Sequence, residues 1–287
     1  MSFSARMALC LAALAACSAP AVAEPLRAIY SIRGGGLQVM QVEAVFELDQ
    51  PARYSIRAQW RTTGMARLFG GAEFSGGTEG RFVGGEARPT RYAVEGTWRG
   101  ERRQTVLDYP GGQPVLRVRL PPDNDGREPV SEAMMRGTID QFSAVAQLSR
   151  MIATNGRCDG QAGIYEGVRV VRMQARTAGR DRIFPWSTAW TGEATRCSFT
   201  GQQVAGFKAD DDARVREPQE GTAWMASPRP GAPPIPVRVE VPSRLFGSLT
   251  VYLMEVDGVA ANALASNAGS SDARSATGAP PAASRAP

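Results

Sequence analysis

Apolar and polar residues alternate one by one through most of this chain. In 26–33 (LRAIYSIR), Leu26, Ala28, Tyr30 and Ile32 share one face, and Met40, Val42, Ala44, Phe46 and Leu48 do so in the run that follows. RYSIRAQWRT (53–62) puts Tyr54, Ile56, Ala58, Trp60 and Thr62 on one side and Arg53, Arg57 and Arg61 on the other. The same pattern returns at 91–98, 115–120, 169–176, 237–241 and 249–256. A period of two sustained over about four to eight residues is that of half-buried antiparallel strands, and it is incompatible with helices. With 31 glycines and 20 prolines in 287 residues to supply turns, the chain reads as a mainly β domain.

One segment has a different period. In 137–156, Ile139, Phe142, Val145, Ala146, Leu148 and Ile152 recur at helical spacing, with Asp140, Gln147, Arg150 and Thr154 on another face. Thr138 and Gln141 fit a capping box and Gly156 a C-terminal stop, which predicts one amphipathic helix near 138–155. Its apolar stripe needs a sheet to lie on.

The N-terminus has one positive charge at Arg6, an apolar run from Met7 to Ala16, and small residues after it. The run is about half the ~20 residues that span a bilayer, so 1–23 is expected to be an export signal cleaved after Ala21-Val22-Ala23. A competing reading takes Leu14-Ala15-Ala16-Cys17 as a lipobox, which would leave a membrane-anchored lipoprotein acylated at Cys17. Either way the expected location is the cell envelope, with the periplasm favoured. In an oxidising compartment the two remaining cysteines, Cys158 and Cys197, are expected to pair. The folded domain is expected over 24–257, with a disordered Ala/Ser/Gly/Pro tail over 258–287.

Several chemistries are disfavoured by what the chain contains. There is no histidine, which removes the usual general base and the commonest metal ligand. Lys208 is the only lysine. DNDG (123–126) has Glu128 and Met134 where a calcium loop needs Gly and Glu, and the Asp210-Asp211-Asp212 run reads as a solvated loop. Strict alternation separates arginines from aromatics, whereas a nucleic-acid platform needs both on one surface. No catalytic residue, metal or cofactor is expected, and no nucleic-acid partner.

Short motifs resemble the domain of unknown function 3108, a family of exported bacterial proteins. They are YSIRGGGLQVMQVEAVF, GTEGRFVGGEARPTRY with Gly80, Pro89 and Tyr92, and TIDQFSAVAQL, where Gln141 replaces the family's proline. RCDGQAGIYEGVR, with Glu166 for an aspartate, CSFTGQQVAGF and PIPVRVEVPSRLFGSLTVYL complete the resemblance over roughly 26–256. It implies a curved antiparallel sheet, half-barrel or barrel-like, packed around the helix, and it implies no activity. Tyr54, Ile56, Trp60, Tyr92, Val94 and Trp98 are then expected on one concave surface under the helix through Ile139 and Phe142. A gap there would take an apolar ligand such as a lipid; a completely filled core is the competing expectation. The function expected is a non-catalytic envelope protein that carries an apolar ligand. The alternatives are a scaffold for another envelope protein and, last, a histidine-free carboxylate hydrolase.

Overall fold

The computed structural model describes residues 24–48, 52–122, 126–243 and 246–264. Residues 1–23, where an export signal with Cys10 and Cys17 is expected, Asp123 to Asp125, and the chain beyond 264 lie outside the described residues. A first meander runs through β1 (Leu26–Gly34), β2 (Leu37–Glu47), β3 (Arg53–Thr62), β4 (Ala72–Val83), β5 (Glu86–Trp98), β6 (Glu101–Asp108) and β7 (Val115–Leu120). The chain then crosses through a short α1 (Glu132–Met135) and the long α2 (Gln141–Asn155). A second meander follows: β8 (Gly160–Tyr165), β9 (Val170–Ile183), β10 (Gly192–Ala205), β11 (Gln219–Ala226), β12 (Ile235–Ser243) and β13 (Gly247–Val256).

Pairing of β1 with β13 joins the meanders into one antiparallel sheet, with β7 and β8 at its ends. The sheet curls around α2 without closing by a ladder. Side chains bring its ends together: Tyr92, Leu107 and Tyr109 of the first meander pack with Tyr165, Val170 and Ala205 of the second. The mainly β, barrel-like expectation is correct, and the alternation is the reason. Tyr54, Ile56 and Ala58 are buried against the helix side while Arg53, Arg57 and Arg61 face water.

The Gly80, Pro89, Tyr92 pattern has a backbone cause. Gly80 lies opposite Pro89 where the β4–β5 register shifts, a bulge that accepts the missing proline N–H. A side chain at Gly80 would come within 2.5 Å of the Tyr54 hydroxyl and of Arg88 O, so Tyr54 can reach across only because Gly80 has none.

Three details of the sequence reading are corrected. The N-cap of α2 is Asp140, whose side chain accepts from Ser143 N, and not Thr138; the Thr138 hydroxyl donates to Met135 O instead. Asp140, read from the sequence as lying on another face from the apolar stripe, is fully buried. The ordered chain also runs past 257: β14 (Val259–Ala260) pairs with β13, Ala261 is buried, and Asn262 N donates to Thr188 O.

Candidate functional site

α2 presents two different stripes to the sheet. Ser143, Ala146 and Ser149 are buried, and their small size lets the helix lie close on β3, β4 and β5. Val145, Leu148 and Met151, offset from them around the helix, face the second meander. The close side is locked at its start by a polar knot. Asp140 accepts from Ser143 N (2.9 Å), Ser143 Oγ (2.6 Å) and Thr78 Oγ1 (2.9 Å). Tyr54 Oη donates to Ser143 Oγ at 2.9 Å. On the other flank Ile139 N donates to Gly163 O and Tyr165 N to Ile139 O, so β8 holds the same turn.

Burial raises the Asp140 carboxyl above its usual value of 3.8, against the lowering effect of its Ser143 and Thr78 hydrogen bonds. Burial likewise raises Tyr54, Tyr92, Tyr109 and Tyr165, which remain neutral phenols. The Tyr109 hydroxyl has no hydrogen-bond partner among the described residues. The knot is that of a structural cap: its hydroxyls are engaged in holding the helix to β3 and β4.

The far side of α2 leaves a groove of about 250 Å³. Val145, Leu148 and Met151 form one wall, and Ile164, Met173, Phe199, Met225 and Val239 the other. Cys158 and Cys197 also line it, bonded to each other with their Cα atoms 5.9 Å apart, so the expected bridge is present. Gln141, Gln147, Gln161 and Gln174 contribute its polar side chains. A larger depression of about 720 Å³ lies on the opposite sheet face among Arg27, Glu43, Arg57, Glu79 and Arg91. Its lining mixes charges of both signs with small residues such as Ala44, Ala58 and Gly76, and lacks the aromatic and methionine side chains of the groove.

None of the eight expected ligand-lining residues lines the groove. Tyr54, Ile56, Tyr92 and Ile139 are buried. Trp60 and Val94 are half-buried and pack against the core. Phe142 sits between Trp60 (6.2 Å) and Tyr92 (6.0 Å), so these rings pack on one another within the core. Trp98 is misplaced by the sequence reading: it lies at the sheet's end, 39% exposed, under the guanidinium groups of Arg99 and Arg103. The gap opens instead beside the second meander, where Met173 comes from the alternating run 169–176 and Phe199 and Met225 from strands that no alternating run marked.

The acidic run is spent on turns: Asp211 accepts from Lys208 N and Asp212 from Arg214 N. Among the described residues no cluster of His, Cys, Asp and Glu could hold a metal, and no helix is long and apolar enough to cross a membrane.

No curated protein matches the sequence. Among solved structures, a β-barrel-like protein of the domain of unknown function DUF1849 from Brucella abortus is similar in fold. It has a TM-score of 0.51 and 13% identity, and the match covers 81% of this chain and 97% of that one. A candidate lipoprotein from Parabacteroides distasonis aligns at a TM-score of 0.33 and 12% identity, covering 82% of this chain and 96% of that one. The profile described as "Protein of unknown function (DUF3108)" matches residues 29–254. The bulge at Gly80 and the Asp140–Ser143 cap fall inside that span, and the chain belongs to the DUF3108 family.

Proposed function

We propose that this is an exported, non-catalytic envelope protein that shelters a single apolar chain, such as the acyl chain of a lipid, in the groove beside α2. The groove carries the reading. Its walls are almost wholly apolar, and about 250 Å³ is just under the roughly 300–1,000 Å³ of ordinary small-molecule sites. Met151, Met173 and Met225 give it flexible, polarisable walls that can follow an unbranched chain. Each methylene moved from water into such a site is worth about 0.8 kcal/mol. Export is supported by the apolar N-terminal run and by the disulfide, which belongs to oxidising compartments. The scaffold reading draws on one observation: β7 ends the sheet with Leu116 and Val118 exposed, a strand edge open to augmentation.

A fluorescent fatty-acid probe tests the carrier reading. Wild-type protein is expected to bind it saturably. Ala162→Phe, which puts a ring into the groove from a half-buried position, should abolish binding at unchanged Tm. Trp60→Ala should leave probe affinity unchanged while lowering stability by about 3 kcal/mol, because Trp60 belongs to the core and not to the groove. No saturable binding by wild type would leave the scaffold reading.

A further inference from the structure

Five large apolar side chains stand exposed at one end of the sheet. Trp98 comes from the β5–β6 turn, and Met65 and Leu68 from the helical turn Gly64–Phe69 between β3 and β4. Leu37 comes from the β1–β2 turn and Phe246 from the β12–β13 turn. Strand order places these four turns side by side. Contacts join them: Arg99 N donates to Gly71 O (2.9 Å) and Thr63 N to Val39 O (3.0 Å). The Phe246 ring lies over Gly34, where a Cβ would come within 2.7 Å of it.

Exposed apolar residues scattered singly are ordinary. Here four successive turns each carry at least one, and the β3–β4 turn carries two, with Met65 62% and Leu68 74% exposed. The charge beside them is mainly positive. Arg67 sits between Met65 and Leu68, Arg99 stacks on Trp98, and Arg33 donates to Gly36 O at the β1–β2 turn. Glu73 and Glu101 are the nearby acidic groups, and Glu101 lies 3.6 Å from Arg103.

We propose that this rim docks on an anionic lipid surface. Leu37, Met65, Leu68 and Phe246 enter the boundary between headgroups and acyl chains, Trp98 lies at headgroup level, and the arginines meet lipid phosphates. The chemistry favours lipid over a protein partner. Separate protruding tips can each enter between headgroups, whereas a protein would need a seat shaped to all four turns. Arginine beside tryptophan is also the composition of an interfacial anchor. The proposal stands independently of what the groove binds.

Co-sedimentation of the exported protein with vesicles of phosphatidylcholine, alone or with phosphatidylglycerol, tests it. Binding is expected only with the anionic lipid and should weaken as salt rises. Met65→Ser with Leu68→Ser should reduce partitioning at least about tenfold, and Arg67→Ser about fivefold, at unchanged Tm. Leu37→Ser, on a different turn, must weaken binding too, which separates docking from a local folding defect in Gly64–Phe69. Wild-type protein that ignores anionic vesicles, or rim variants that bind as wild type does, would overturn the proposal. So would rim variants that instead lose a co-purifying envelope protein, which would assign the patch to a protein partner.

Discussion

Asp140→Ala is expected to lower the unfolding free energy by about 3 kcal/mol, measured by urea denaturation. The loss has two parts. Removing the N-cap of α2 costs about 1 kcal/mol, and leaving Ser143 and Thr78 without their buried acceptor costs about 1–3 kcal/mol more. Asp140→Asn keeps the shape and one acceptor oxygen and should cost less. The pH dependence separates the two variants from wild type. Burial holds the Asp140 pKa above 3.8, so the folded protein keeps this proton at pH values where the unfolded chain has released it. The group's contribution to stability therefore rises as pH falls through the raised pKa toward 3.8, and levels off below. Asparagine has no such proton, so the wild-type advantage should widen as pH falls across that window. An advantage that shrinks with falling pH would show a carboxylate stabilised by its hydrogen bonds, with a lowered pKa.

Loss of the disulfide is the second large effect. Cys158 and Cys197 are 39 residues apart, and on the chain-entropy model opening a loop of that size costs roughly 4 kcal/mol. Cys158→Ser with Cys197→Ser should show this as a lower denaturation midpoint with a nearly unchanged native fold. A local consequence is also expected. Cys158 follows the Gly156 cap of α2, and the bridge ties that end of the helix to β10 along the groove wall. Without it, amide exchange should accelerate first at Ile152 to Asn155, and probe affinity should fall. Uniform exchange along α2 in the double variant would show that the bridge acts only through the unfolded chain.

Much of the architecture is legible because a strand has a period of two. Once Tyr54, Ile56 and Ala58 alternate with Arg53, Arg57 and Gln59, the inner and outer faces follow without further information. The helix is legible for the corresponding reason, and the cysteine pair because only Cys158 and Cys197 lie beyond the N-terminal apolar run. β4 carries little of this signal. Gly76, Gly77 and Gly80 remove the side chains that would reveal alternation, and their reason for being there is close packing against neighbouring strands. The true cap was missed because Thr138 and Gln141 fit a local pattern, while Asp140 is recruited by Thr78 and Ser143 across the fold.

The sequence by itself determined the β class, the faces of the early strands, the helix and the bridge, since each depends on neighbours a few residues apart or on a count of thiols. The position of the gap was decided only in three dimensions. Tyr54, Trp60, Tyr92 and Phe142 look like ligand lining from their shared face, yet they pack into the core on one side of α2, where Ser143, Ala146 and Ser149 let the helix settle. On the other side Val145, Leu148 and Met151 hold the second meander away. Whether apolar residues make a core or a groove depends on the distance between the surfaces that carry them, and that distance is set by side chains from strands far apart in the chain.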